Sequence, residues 1–204
     1  RRRCTSTAAP SAARRPPNSF IWVPMSLAMG LGGSAMIAAS GFLGEGYFWV
    51  HDIGRNALLQ GMFTGLVVGV GGMVLPLITR GEGAADANAS GRAHVARAGH
   101  VLAAIVLASS FWVEGRVSQV GGLALRAAVT LAVLLLSGRI HRPPSVPGWH
   151  RRLVWLSAWM IPIGYVVAAL FPLQIKAGLH IVFVGGFGLM ALSVGLHVAL
   201  AHSG

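Results

Sequence analysis

Six long apolar runs constrain this chain more than any other feature. They are Ser19–Ser40, Ala57–Thr79, Arg97–Val113, Val117–Ser137, Leu153–Leu173 and Ala177–Ala201. A hydrocarbon layer about 30 Å thick is crossed by about 20 helical residues. Inside it every backbone N–H and C=O needs a partner from the protein, which leaves helices or closed barrels. The runs lack the alternation of barrel strands. The expected fold is therefore all-α: a polytopic transmembrane helical bundle of about six helices over residues 19–204, with the lipid bilayer as its solvent. Only 10% of residues are charged against 54% hydrophobic, where a soluble domain carries about a quarter charged.

A net charge of +11 would suggest nucleic acid, were it not for its placement. Twelve of the 16 cations lie in three segments: Arg1, Arg2, Arg3, Arg14, Arg15; Arg80, Arg92, Arg97; and Arg139, Arg142, Arg151, Arg152. The alternate connections hold only Arg55, Arg116 and Lys176. This is the pattern of the positive-inside rule, and it puts both termini in the cytoplasm, with residues 41–56, 114–116 and 174–176 outside. No nucleic-acid partner is expected. Arg1–Asn18, rich in Arg, Ala, Ser and Pro, reads as a disordered basic cytoplasmic tail or linker. The chain opens without methionine or an apolar signal core, so it is expected to be the carboxyl-terminal part of something longer, with further transmembrane helices before it. The single cysteine, Cys4, provides no internal disulfide, cysteine zinc site or iron–sulfur cluster from this chain alone.

Within the runs, polar groups are few. Arg126 lies near mid-depth of the fourth, where a central arginine costs roughly 2.5–3.5 kcal/mol on insertion scales. It should face the bundle and be paired with a carbonyl freed by a proline, with Gln60, or with a cofactor's propionate. Gly61, Gly65, Gly69 and Gly72, with Pro76, fall within about 80° of one another on a helix. Such a stripe serves either as a seat for a flat macrocycle or, more simply, as a helix-packing face. Pro162 and Pro172 suggest kinks in the fifth helix. Trp22, Trp49, Trp112, Trp149 and Trp155 read as an interfacial aromatic belt. The string His51-Asp52-Ile53-Gly54-Arg55-Asn56 reads as an outer connection, with Asp52 favouring the start of the second helix.

Eight histidines stand against five carboxylates. His51 and His180 sort to the outer side, and His94, His100, His141, His150, His197 and His202 to the inner. Imidazole is a frequent ligand of haem iron and copper. His94, His141 and His150 read as solvated loop residues, whereas His180, His197 and His202 on the sixth helix are candidate ligands. His180 and His197 are about 25 Å apart along the axis, so they would serve separate sites. His100 shares the inner side with His197 and His202. No close HxH or HxxxH spacing occurs, and no paired carboxylates, nucleophile with base, or phosphate loop is visible.

Two strings go further. Arg55-Asn56-Ala57-Leu58-Leu59-Gln60-Gly61, continuing through Gly69-Val70-Gly71-Gly72 to Leu75-Pro76, resembles a membrane segment of NnrS-family proteins. So does Leu179-His180-Ile181 followed by Gly185-Gly186, Gly188-Leu189-Met190 and the terminal Ala201-His202-Ser203-Gly204. The resemblance implies a multi-pass protein of the bacterial inner membrane, associated with haem and copper and acting in nitric oxide metabolism or the nitrosative stress response. It carries metal ligation to His180 and His202. His197 and Arg126 then become candidate cofactor contacts, with Arg126 answering haem propionates. The family's WHxHE-like motif is absent, and Asn56 and His197 stand where His and Arg would be expected. The alternatives left open are a transporter or channel-like bundle for a small solute, with Arg126 binding an anion, and a structural membrane subunit.

Overall fold

The computed structural model describes residues 18–82 and 93–203, so the tail expected over residues 1–18 lies outside the described residues apart from Asn18. The described chain is almost wholly helical, with no strand among the described residues. Six segments are long and apolar enough to cross a membrane: Asn18–Leu43, Phe48–Arg80, His94–Arg116, Gln119–Leu136, Trp149–Leu170 and Pro172–His202. The helices are α1 (Trp22–Leu43), α2 (Phe48–Asn56), α3 (Phe63–Arg80), α4 (Ala93–Arg116), α5 (Gln119–Leu136), α6 (Trp149–Leu170), α7 (Ile175–His180) and α8 (Leu189–His202). Wider π-helical turns at Ala57–Met62 and Ile181–Gly188 join α2 to α3 and α7 to α8. The described residues thus form an all-α bundle of six spans.

Three boundaries differ from the sequence expectation. Residues 48–56 are helix, because Val50, Ile53 and Gly54 bury one face. Asp52 therefore sits inside a helix, 3.4 Å from Arg55 one turn on, and caps nothing. The third span runs through Arg116, which places Glu114 in its last turn and not in a connection. Pro172 opens a short 3-10 turn after α6 has ended, so Pro162 alone lies within the fifth helix.

The glycine stripe is a packing face. Methyl groups built at Gly65, Gly69 and Gly72 would press on Ser26, Trp22 and Ser19 of the first span, and one at Gly61 on Met29 and Phe111. Those first-span residues recur at helical spacing, so the first span lies along the stripe, as small residues permit where apolar solvent supplies no driving force. The fifth and sixth spans meet backbone to backbone: a methyl at Gly178 would lie 2.5 Å from Ala168 N. Two apolar cores result. Trp22, Val68, Leu107 and Phe111 anchor one among the first four spans, while Leu75, Leu123, Ile161, Tyr165 and Val182 anchor the other. Trp22 belongs wholly to the core and not to the aromatic belt. Outward-facing side chains such as Leu31, Phe42, Leu102, Val184 and Leu192 are exposed, the arrangement suited to a lipid solvent.

Candidate functional site

Polar chemistry gathers at three places, beginning with a buried ion pair. Arg126 on α5 is fully buried. Its Nε donates to Ser110 Oγ at 3.1 Å, its Nη1 to Gln60 Oε1 at 2.6 Å, and its Nη2 to Glu114 Oε2. Asn56 Nδ2 donates to the same carboxylate oxygen at 3.2 Å, and Gln60 Nε2 to Asn56 Oδ1 at 3.2 Å. The Phe111 ring lies 4.3 Å from the guanidinium carbon. Tyr165, 5.9 Å from it, hydrogen-bonds Thr64 at 2.9 Å. A buried charge needs both a counter-charge and hydrogen bonds on its remaining donors, and here it has both. Gly122 makes this reachable: a methyl there would lie 2.6 Å from Ser110 O, so α4 and α5 touch through their backbones. Gln60 was among the partners expected for Arg126. Glu114 was missed because it had been placed in a connection, although it is the nearest in sequence of only five carboxylates.

The second place is a cavity of about 630 Å³ bounded by the start of the first span and by α3, α4 and α5. His100 stands in its wall. Trp22 Nε1 donates to His100 Nδ1 at 3.1 Å, and Ser137 Oγ lies 3.3 Å from Nε2. An indole N–H can only donate, so Nδ1 accepts and the neutral ring carries its proton on Nε2. Both nitrogens are thereby occupied, a poor starting point for metal ligation. Sequence reasoning had assigned Trp22 elsewhere and so missed this pairing.

The third place is the arginine-rich end. Gly81 (φ 71°) closes α3, its N–H returning to Leu77 O and that of Glu82 to Pro76 O. This turns Glu82 back between two arginines: Arg80 Nε donates at 3.0 Å and Arg139 Nη1 at 3.0 Å. The hydrogen bond from Arg80 and the charges of both arginines hold the Glu82 carboxyl below its ordinary range. Arg80 Nη1 also reaches Arg139 O at 3.3 Å, and Arg139 is the one described non-glycine residue with positive φ (51°). Separately, His197 Nδ1 lies 3.2 Å from His150 Nε2 with the rings stacked at 5.2 Å. His150, read from sequence as a solvated loop residue, is half-buried on α6.

The other candidate ligands stand apart. His180 is exposed, its Nδ1 2.7 Å from Lys176 O, and His202 is exposed, its Nδ1 2.8 Å from Val198 O. A carbonyl only accepts, so Nδ1 carries the proton in both rings, leaving each Nε2 lone pair free. That is the tautomer and orientation a metal-binding imidazole needs. The two are about 33 Å apart along the helix, so the structure does not bring them together, nor either to His100. No cluster of three or more His, Cys, Asp or Glu side chains suited to a metal occurs among the described residues.

Six apolar spans around an internal ion pair define a multi-pass membrane protein. A family model described as NnrS protein matches residues 4–204. The chain belongs to the NnrS family. No curated protein and no solved structure matches it.

Proposed function

We propose that this protein is a metal-associated NnrS-type protein of the bacterial inner membrane, with both termini cytoplasmic. It would hold haem or copper and act in nitric oxide metabolism or the nitrosative stress response. The observation that carries this reading is the pair of imidazoles on the last span, each with Nδ1–H tied to its own helix and Nε2 free. Carbonyl anchoring fixes the ring and raises its basicity as a ligand. A haem or copper centre would supply the binding and redox chemistry of nitric oxide. His180 and His202 would each orient one such group, at opposite ends of the span. Arg126, with its donors taken by Glu114, Gln60 and Ser110, acts in this reading by holding the second, third and fourth spans together. His197, paired with His150, is a candidate ligand only after that pair opens.

The test is the absorption spectrum and metal content of protein purified in detergent after haem and copper loading. Wild type should show a Soret band or bound copper, reduced in His180→Ala and unchanged in the exposed control His94→Ala. Wild type that takes up neither, or His180→Ala that retains both in full, overturns the reading. Solute flux in proteoliposomes without a bound group would instead favour a transporter. A reporter fused after Gly204 should be active only in the cytoplasm.

A further inference from the structure

The 630 Å³ cavity has a graded polarity that the metal reading does not use. Its walls rise along one face of α4 through Val95, Gly99, Ala103 and Val106, about 16 Å from the arginine-rich end inward. The deep end, at Val106 and Val129, is apolar. At middle depth stand Ser137 and Ser19, both in the lining, and both in contact with a methyl built at Gly72. The mouth carries Glu82 and Arg139, with Arg80 hydrogen-bonded to each. The space opens to the outer face of the bundle, where Leu102 and Leu136 of its lining are exposed, so a lipid can enter it from the bilayer.

We infer that this cavity binds one anionic membrane phospholipid. An acyl chain fills the deep end, ester carbonyls accept from the serine hydroxyls, and the phosphate meets Arg139. Each level matches one level of the ligand. His100 Nε2–H points its proton to Ser137 Oγ, so the Ser137 hydroxyl keeps its own proton for an acceptor in the cavity. Two arginines share the one Glu82 carboxylate, which leaves the mouth net positive. Basic pockets between spans are recognised binders of anionic head groups. The occupied nitrogens of His100 argue against a ligand held through that ring. Arg139, whose backbone is held in the left-handed region, lines the mouth.

The experiment places the full chain in nanodiscs of mixed phosphatidylglycerol and phosphatidylcholine and measures lipid retained after extraction, by native mass spectrometry. Wild type should retain phosphatidylglycerol preferentially. Arg139→Gln should lower that retention about fivefold and Glu82→Gln should raise it by a similar factor, the scale of one charge at an anionic lipid surface. Ala103→Trp, which obstructs the apolar part of the cavity, should lower retention of both lipids. The gain in Glu82→Gln is a signal that misfolding cannot produce. Equal retention of the two lipids, indifference to both charge changes, displacement by excess inorganic phosphate, or a retained quinone or fatty acid in place of phospholipid would each overturn the assignment. None of these readouts depends on haem or copper.

Discussion

Removing either partner of the Arg126–Glu114 pair should cost at least as much as removing both. Arg126→Met leaves the Glu114 carboxylate with only Asn56 Nδ2, and strips Gln60 Oε1 of its donor. Ser110 keeps its bond to Leu107 O at 2.6 Å, so its loss is small. Breaking a buried pair from one side costs about 3–5 kcal/mol. Because the unfolded chain in a micelle also finds polar partners, the lower end, about 3 kcal/mol, is expected here. The cation–π contact with Phe111 is also lost, though a methionine sulfur against the same ring recovers part of it. Glu114→Leu should cost a similar amount, since it leaves Arg126 charged and buried. The double variant removes both charges and orphans only Gln60 Oε1 and Asn56 Nδ2, at about 1–3 kcal/mol. It should therefore be no less stable than either single variant, which puts the coupling energy at about 3–5 kcal/mol, at or above the top of the usual range. Equilibrium unfolding in mixed detergent micelles, followed by tryptophan fluorescence, measures the cycle. Single variants within about 1 kcal/mol of wild type, or a double variant equal to the sum of the singles, would refute the reasoning.

Two further predictions separate packing from charge. Gly178→Ala should destabilise the bundle by about 1–3 kcal/mol, as overpacking does, because the added methyl meets the Ala168 backbone, which cannot yield. Gly195→Ala, where nothing lies within 4 Å, should be neutral or stabilising by up to about 1 kcal/mol from helix propensity. The same unfolding assay reads both, and equal effects would contradict the packing. The second concerns acid. Glu82 has a lowered folded pKa, so its clasp contributes fully above the unfolded value of 4.5 and is lost as pH falls through the lower folded value. Unfolding midpoints measured downward from neutral pH should fall less steeply in Glu82→Gln, and parallel curves would exclude the clasp.

The spans were legible because a bilayer imposes length and apolarity on each helix independently of its neighbours. The glycine stripe was legible as a face for the same reason, since periodicity is local. What fills that face was not, because Ser19, Trp22 and Ser26 read only as residues of another apolar run. Trp22 illustrates the limit. A tryptophan near the start of a span looks interfacial, and only the rotation of the first span on the stripe turns it inward to His100. Glu114 was hidden by a shift of a few residues at a helix end, where boundaries are least readable from sequence. The need for a partner to Arg126 followed from energetics, while its identity followed from the phase of two helices brought close at Gly122.

That division bears on where a bound metal could sit. Two of the inward-facing polar groups that a cofactor would use are already paired: Arg126 with Glu114, and His100 with Trp22 and Ser137. On the last span, His180 and His202 each keep Nε2 free, and both are on the exposed surface. One imidazole can serve as the proximal ligand of a haem, whereas a copper site needs more than one ligand. A copper ion held at His180 would therefore need further ligands from a second surface over the sixth span, so copper affinity measured on this chain alone should be weak, while haem uptake at His180 should not depend on such a surface. Full-strength copper binding by the isolated chain would place the copper ligands elsewhere, with the His150–His197 pair as the remaining inward choice.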